Sequence, residues 1–448
     1  MKNKDNKPKI YHKDIWGLRK EKAQWLESHS IAGTDWQEIT PTKPYYFFVP
    51  RSRKGWDLYQ SFWKVTDIFP VNSVGVVTSR DRFVIDFNKQ SLEGRIRDFR
   101  GTQKDTDSIK SAYDLRDKKN RWFVDDARRE LRRDKDWENY FAKILYRPFD
   151  ERWIYYHPAV IERDRWDVMQ HMLKPNLGLI TNRTIKTTNI DHFWVADKIS
   201  DLHIIETANA SAYTFPLHLY KNNSINNCDK KGRHKSVKTL AIFDADESEY
   251  GNKKSNIAPK LFNALKNQFG KKTTPEDIFY YIYSILYSNT YREKYQEFLK
   301  IDFPRIPFTA DYEIFKELTN LGKSLVNLHL LKSPDLDSPI ARFPAEGNNL
   351  VDKKKSVGRN YNSEEKRIYI NKDEQYFEGI DPEVWEYKIG GYQVLDKWLK
   401  DRGGRYLNSE EIKHYCRIVT ALARTIELQE SVDKFYPEIE KDLIEAGM

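Results

Sequence analysis

The sequence predicts an α+β protein, with mixed β-rich lobes up to about residue 270 and a mainly helical lobe after it. Two observations predict this class. Short apolar runs of strand length, separated by turn residues, recur through the first part of the chain. Apolar residues at helical spacing dominate the last part, and strands and helices segregated along a chain are typical of α+β proteins. A chain of 448 residues is long enough for about two or three domains.

Residues 1–87 are predicted to form an α/β segment. The apolar pattern predicts a helix within Ile15–His29 and strands at Tyr45–Val49, Ser73–Thr78 and Phe83–Phe87.

Residues 88–143 are predicted to form a charged helical connector. From Asp114 onward both signs of charge are so dense that only one face of a helix can pack against a core. The pattern therefore favours an exposed helix with ion pairs between successive turns. Phosphate contact by Arg128, Arg129, Arg132 or Arg133 is the alternative.

Residues 144–270 are predicted to form a β-rich lobe, whose first stretch, Ile144–Lys186, alternates arginines with aromatic residues. The arginine fork of donors suits phosphate oxygens and guanine edges, and aromatic rings suit stacking or a core. A buried β-hairpin whose arginines pair with neighbouring carboxylates is the alternative, and the residue types leave it open. Further strands are predicted at Leu177–Thr181, Phe193–Val195 and Tyr213–Tyr220.

The charge is uneven along the chain. Residues 1–270 carry 49 Lys+Arg against 36 Asp+Glu, whereas residues 271–448 carry 27 against 31. A basic first part indicates a polyanionic partner such as nucleic acid, and a solvated surface without a partner is the alternative. The segment Lys221–Lys238 carries six basic residues and one acid, so it is predicted to be either an arm that reaches a nucleic-acid backbone or an inserted loop.

Residues 271–448 are predicted to form a mainly helical lobe with short strands. Thr274-Pro275-Glu276-Asp277 is typical of a helix start, with an N-cap threonine, a proline and an acid in the first turn. After this first helix, the pattern predicts helices at Thr290–Lys300, Asp311–Leu331, Tyr392–Leu399 and Glu410–Leu428, a linker at 333–362 and a strand at Arg367–Ile370.

Several classes of protein are not indicated. No run approaches the roughly 18 apolar residues of a membrane helix, and the basic N-terminus lacks the apolar core of a secretory signal. Two cysteines, Cys228 and Cys416, cannot build a disulfide framework. We therefore expect a cytoplasmic protein with no membrane partner.

The chain lacks recognisable catalytic motifs. It contains no Walker or dinucleotide glycine loop, no Asn/Asp-Pro-Pro-Tyr/Phe tetrad, no F-x-G-x-G loop and no HExxH pattern. The pairs His12/His29 and His203/His218 lack metal-ligand spacing. The string from Pro148 to Glu151 imitates a nuclease signature, but Trp153 stands where the lysine is required. No catalytic and no metal-binding residue is predicted, and whether the protein is an enzyme stays open.

Several strings, taken in order, resemble the C-terminal part of single-polypeptide type I (type ISP) restriction–modification enzymes and their type IIG-like relatives. The resemblance covers most of the chain and is weak at 88–143 and 221–255. The strings are KVTDIFPVNSVGVVTSRD at Lys64–Asp81, LYRPFDER at Leu145–Arg152 with Tyr155-Tyr156, Met169–Leu173 with Asn176-Leu177, TPEDIFYYIYSILYSNTYREKYQEFLKIDFPRIP at Thr274–Pro307, Leu321–Leu331, and YFEGIDPEVWEYKIGGYQVLDKWLKDR at Tyr376–Arg402.

In that family one polypeptide carries a nuclease, a translocase, an adenine methyltransferase and, last, a target-recognition domain. The resemblance implies that residues 1–87 correspond to the tail of the methyltransferase module and residues 144–270 to a DNA target-recognition lobe. It implies a specificity module that recognises a double-stranded DNA sequence and directs adenine methylation and cleavage catalysed by other modules.

The resemblance also implies partners and cofactors. Partners are duplex DNA and a methyltransferase, translocase or nuclease module on another chain. No cofactor is expected in this chain, because S-adenosylmethionine, Mg and ATP would belong to the upstream modules. A truncated or partner-dependent DNA adenine N6-methyltransferase or restriction enzyme and a docking scaffold without DNA affinity are the alternatives.

Base-contacting residues cannot be transferred from the family, so the predicted DNA-binding residues are chosen by their chemistry. Arg147 and Arg152 lie in a string shared with the family, which suits a structural or backbone-positioning role. Asn182 and Asn189 have side chains that can pair bidentately with adenine. The full set is Arg147, Arg152, Arg163, Arg165, Asn182, Arg183, Lys186, Asn189, Lys230, Lys231 and Arg233.

Overall fold

The computed structural model contains two compact units, Met1–Trp56 and Asp57–Met448. It describes residues 8–43, 45–51, 54–119, 121–205, 210–221, 252–270, 273–353, 359–372 and 375–446. Helices and several small sheets are both present, which confirms the predicted α+β class. The predicted segment boundaries after residues 87, 143 and 270 all lie within the second unit and stay predictions.

The first unit is small and strongly exposed. Strand β1 (Ile10–His12) pairs antiparallel with β2 (Gln37–Ile39), and helix α1 (Arg19–Ser28) lies between them in the chain. The predicted helix is thus confirmed, although none of its residues is buried. The strand predicted at Tyr45–Val49 is wrong, because Tyr46 adopts a left-handed backbone with φ +49° that turns the chain.

The second unit contains short strands and longer helices. Its strands are β3 (Trp63–Lys64), β4 (Ser73–Val74), β5 (Ile85–Asp86), β6 (Phe141–Arg147), β7 (Asp150–Tyr155), β8 (Gly178–Asn182), β9 (Phe193–Ala196), β10 (Ile199–Ser200), β11 (Ala212–Pro216), β12 (His218–Tyr220), β13 (Lys253–Ser255), β14 (Arg305–Ile306), β15 (Asn360–Asn362), β16 (Arg367–Tyr369), β17 (Tyr376–Glu378), β18 (Lys388–Ile389) and β19 (Tyr392–Gln393).

The helices are α2 (Trp56–Ser61), α3 (Val65–Ile68), α4 (Asp81–Val84), α5 (Lys89–Arg100), α6 (Thr106–Tyr113), α7 (Val124–Arg133), α8 (Trp166–Met172), α9 (Pro259–Phe269), α10 (Pro275–Tyr287), α11 (Asn289–Lys294), α12 (Gln296–Leu299), α13 (Tyr312–His329), α14 (Pro382–Glu386), α15 (Val394–Asp401) and α16 (Ser409–Ile439), with 3₁₀ turns at Trp137–Tyr140 and Pro334–Asp337. No helix in the described part of the chain is long and apolar enough to span a bilayer.

Two four-stranded sheets position the arginine-rich stretch. The first has the order β10–β6–β7–β5 and is built around the β6–β7 hairpin, in which Ile144 pairs with Arg152. Phe149, with φ +60°, forms the tight turn of this hairpin. The second sheet has the order β4–β11–β8–β9, and every residue of β8 and β9 is buried. The strands predicted from Leu177 to Tyr220 are confirmed.

Three long helices form the scaffold of the second half. The predicted start of α10 is confirmed, since Thr274 and Asp277 cap each other's backbone N–H groups. Helix α13 packs directly on α10 at Gly322, where an added Cβ would lie 1.8 Å from the carbonyl oxygen of Tyr280. Only glycine therefore allows this close helix contact. Helix α16 extends well beyond the predicted end at Leu428, because Val432, Tyr436 and Ile439 remain buried.

Two predicted elements are divided differently in the structure. The segment Thr290–Lys300 forms α11 and α12 instead of one helix, with a non-helical Tyr295 between them. The strand predicted at Phe83–Phe87 begins as the helical turn α4 and becomes extended only at β5. Arg95 stabilises this change, because its guanidinium donates to the carbonyl oxygens of Arg82 and Phe83 at 2.6 and 2.9 Å.

A buried carboxylate–arginine network joins the β6–β7 hairpin to the C-terminal helices; we define it as Asp150, Arg152, Asp401, Arg402 and Glu411. Asp150, 1% exposed, accepts from Arg152 at 2.6 Å and from Arg402 at 3.0 Å. Arg152 also pairs with Asp401 at 3.1 Å, and Arg402 with Glu411 at 3.5 Å.

The environment decides the charge state of this network. Burial raises the pKa of the Asp150 carboxyl, but the guanidinium groups of Arg402 and Arg152 outweigh burial and hold that pKa below its usual value. The ring of Phe87 lies under three guanidinium groups, those of Arg152 at 4.4 Å, Arg402 at 4.8 Å and Arg405 at 3.9 Å. The network thus combines ion pairs with cation–π contacts.

We expect Arg402→Met to lower the free energy of unfolding by about 3–5 kcal/mol, because it leaves the buried Asp150 carboxylate with only one of its two arginine partners. Urea denaturation followed by circular dichroism measures the change. Lys441→Met is the control, since it removes only an exposed ion pair with Glu438 and changes stability by less than about 0.5 kcal/mol. Equal transition midpoints for the two variants would contradict the importance of the network.

Candidate nucleic-acid interface

Arg147 and Arg152, both at the β6–β7 hairpin, are largely buried and already paired. The guanidinium of Arg147 donates to the Asp201 carboxylate at 2.7 Å, and both arginines lie over the ring of Tyr146, at 4.0 and 3.9 Å. Arg152 belongs to the carboxylate–arginine network. The hairpin alternative is therefore what the geometry shows for these two side chains, and DNA contact by them stays a prediction.

The segment between β7 and α8 presents the next two arginines. Arg163 forms two backbone hydrogen bonds with Val77, donating at 3.0 Å and accepting at 3.0 Å. The hydroxyl of Tyr156 donates to the carbonyl oxygen of Asp164, and the ring of Tyr156 stacks on Trp166. These contacts fix the backbone of the segment, while the Arg163 side chain is exposed.

Arg165 has an unusual environment. Its backbone is left-handed, with φ +56°, a conformation that costs a non-glycine residue roughly 1 kcal/mol. Its Nε is buried and has no hydrogen-bond acceptor within the described ranges of the chain. Burial lowers the pKa of the Arg165 guanidinium, and the neighbouring Arg163 charge lowers it further, against smaller opposing effects of Asp164 and Tyr213.

The β8–β9 loop (residues 183–192) carries three of the predicted residues, and a fourth directly precedes it. Asn182 ends β8 and is 1% exposed, whereas Arg183, Lys186 and Asn189 are exposed. The loop is anchored in its middle by a hydrogen bond from the backbone N–H of Ile185 to the carbonyl oxygen of Lys300, at 3.2 Å. It therefore displays cationic and amide side chains on a fixed support.

Tyr213 on β11 lies near the two arginine-bearing segments. It opposes the lowering of the pKa of Arg165, and its ring meets Phe303 edge-on at 4.9 Å. The adjacent Asp302 carboxylate lies 3.4 Å from Arg183. We call the group Arg163, Arg165, Arg183 and Tyr213 the arginine face.

One member of the arginine face, Tyr213, was expected from the sequence only as part of an extended segment. Lys64 was also not selected, although it pairs at 2.7 Å with the same Asp302 carboxylate that lies near Arg183. Lys64 and Asp302 are 238 residues apart in the chain. No local pattern reports such a pairing. The position of Tyr213 follows only from the register of β11 with β8, in which it pairs with Thr181.

Other basic residues are placed differently. Arg128 on α7 is 2% exposed and donates to the carbonyl oxygens of Phe99, Gly101 and Lys104, so the phosphate alternative fails for it. Arg129 pairs with Asp126 at 2.8 Å on the exposed side of the helix. Three predicted DNA-binding residues lie outside the described residues: Lys230, Lys231 and Arg233.

The residues that the structure describes contain no group of three or more histidine, cysteine, aspartate or glutamate side chains that could hold a metal ion. Asp150 and Glu151, which imitate a nuclease motif in the sequence, are engaged by Arg402 and Lys198. The arginine face and the β8–β9 loop therefore present cations, an exposed amide and a half-buried aromatic ring.

Comparison with known proteins gives a consistent result. The sequence pattern of the type ISP C-terminal specificity domain matches residues 67–431. The structure resembles that of a nuclease-deletion mutant of the type ISP restriction–modification enzyme LlaGI in complex with a DNA substrate mimic, with a TM-score of 0.62 and 18% identity over 94% of this chain and 33% of that one.

Two further solved structures are similar. The ATP-dependent type ISP enzyme LlaBIII bound to DNA gives a TM-score of 0.61 and 19% identity over 89% of this chain and 25% of that one. The DrdV–DNA complex gives a TM-score of 0.68 and 19% identity over 95% of this chain and 43% of that one. This chain thus spans between a quarter and less than half of those chains, and the likeness establishes a common fold. No curated protein matches the sequence.

Proposed function

The chain belongs to the family of type ISP C-terminal specificity domains, and we propose that it recognises a specific sequence in double-stranded DNA. The single observation that carries the proposal is the family match over residues 67–431. On this proposal the protein directs adenine methylation and cleavage that other modules of a type ISP-like system catalyse. Its own contribution is binding.

The chemistry of the arginine face and the β8–β9 loop supports this proposal. Arg183 and Lys186 are exposed cations on an anchored loop, and both suit phosphate oxygens or guanine edges. Asn189, exposed at the same loop, suits bidentate pairing with adenine. We assign base recognition to this loop, because exposed polar side chains on a fixed support can enter a groove.

The proposal extends to partners, cofactors and location. The catalytic modules would lie outside the residues of this sequence. S-adenosylmethionine, Mg and ATP would be bound by those modules and none of them by this chain. A cytoplasmic location completes the proposal, because restriction–modification substrates reside there.

We expect the purified protein to bind duplex DNA with a strong dependence on salt. If it contacts about six phosphates, the affinity for an arbitrary duplex falls by roughly 10³-fold between about 50 and 200 mM salt. Fluorescence anisotropy with a labelled duplex measures this. Selection from a randomised duplex library should then enrich one sequence that binds at least roughly 10³-fold more tightly than the pool.

Two outcomes would refute the proposal: no binding at low salt, or binding without enrichment of any sequence. Co-purification with a methyltransferase chain, in the absence of DNA affinity, would instead favour a docking scaffold.

We expect Asn189→Ala to weaken binding to the selected duplex by about 1–3 kcal/mol without changing the affinity for an arbitrary duplex, because base contacts specify and phosphate contacts do not. Anisotropy titrations of both duplexes measure the difference. Asn320→Ala, which changes an exposed asparagine of α13, is the matched control. Unchanged discrimination in Asn189→Ala removes this residue from base recognition.

We expect no uptake of S-adenosylmethionine by the isolated protein in equilibrium dialysis with radiolabelled cofactor. The F-x-G-x-G loop and the Asn/Asp-Pro-Pro-Tyr/Phe tetrad that such a site uses are missing from the sequence. Saturable uptake would favour the alternative of a truncated or partner-dependent DNA adenine N6-methyltransferase.

A further inference from the structure

Arg163 and Arg165 are separated by one residue, and neither side chain forms an ion pair within the described residues. No ion pair or hydrogen bond joins the side chain of Arg163 to another residue in the part of the chain that the structure describes. The nearest carboxylate in the chain, that of Asp164, accepts a hydrogen bond from the backbone N–H of Trp166 at 3.3 Å. Like charges repel, so such an arrangement is stabilised when an anion binds between them.

The backbone holds this pair in place. Both backbone groups of Arg163 are bonded to Val77, and the carbonyl oxygen of Arg165 accepts the first N–H groups of α8, from Val168 and Met169, at 3.0 and 2.9 Å. The left-handed backbone of Arg165 lets the chain turn from the β7–α8 segment into α8, at the expense of some backbone strain. Side chains on a support fixed in this way need little further ordering when they bind a ligand.

The donors of Arg165 that remain accessible point to the kind of ligand. Its Nε is buried, so the two terminal nitrogens, which form no hydrogen bond within the described residues, are the ones that can meet a ligand. Paired guanidinium nitrogens suit two oxygens of one phosphate. Tyr213, half-buried beside Arg165, adds a ring against which the sugar of a nucleotide can pack.

We propose that Arg163 and Arg165 together clamp one phosphodiester group of the DNA backbone. The inference rests on the proposed function and adds a division of labour to it. The clamp supplies affinity that does not depend on sequence, whereas the loop reads bases.

The test measures the slope of log affinity against log salt with the full-length chain and an arbitrary duplex. Arg165→Gln is expected to lower the magnitude of the slope by about 0.9, the amount for one phosphate contact. The preference for the selected duplex over the arbitrary one should stay as in the wild type. Arg165→Lys, which keeps the charge but not the fork, should retain the slope and bind more weakly.

Arg163→Gln is the second variant, because its exposed side chain can be replaced without disturbing the fold. It should lower the slope and leave the preference unchanged, even if Arg165→Gln does not fold. Arg424→Gln, which changes an arginine paired with Glu427 on α16, is the matched control and should leave the slope unaltered.

The outcomes separate this inference from the proposed function. A wild-type protein that does not bind any duplex overturns both. Wild-type binding with unchanged slopes in the two variants overturns the clamp alone. Loss of preference at an unchanged slope also overturns the clamp, since it would make these arginines base-reading residues.

Discussion

The second unit depends on the ion pairs that neutralise one buried carboxylate, that of Asp150. An ionised carboxylate that is 1% exposed is stable only when other groups take the place of its hydrating water. Arg152, two residues away in the chain, and Arg402, 252 residues away, do so here. One of them, Arg402, follows α15 directly and also reaches Glu411 in α16. The β6–β7 hairpin therefore has a defined position relative to both C-terminal helices. Two strings that support the family resemblance, LYRPFDER and WLKDR, supply the residues of this contact.

The fixed hairpin also determines the course of the chain after β7. The chain leaves this strand, forms its two backbone bonds at Val77 and enters α8 through the strained residue Arg165. The second sheet then carries Tyr213 and the β8–β9 loop to the same side. The arginines of this stretch consequently divide into two groups by environment. Arg147 and Arg152 stabilise the fold through Asp201 and Asp150, whereas Arg163 and Arg183 face solvent.

The sequence predicts helices with strong local signals well, because capping and apolar spacing act within a few residues. The Thr274–Asp277 capping box and the apolar stripe of α10 are the clearest case. Turns within runs of strand composition were predicted poorly. Tyr45–Val49 has strand composition but a left-handed Tyr46 turns it, and Phe83–Phe87 begins as a turn that Arg95 stabilises. The family resemblance, in contrast, was confirmed over residues 67–431.

The contact between Asp150 and Arg402 spans 252 residues of sequence. During synthesis at about 5–20 residues per second, the hairpin therefore waits many seconds before its second arginine leaves the ribosome. Until then Asp150 has only its near neighbour Arg152 as a partner. The position of the hairpin relative to α15 and α16 is therefore fixed only after Arg402 has been made.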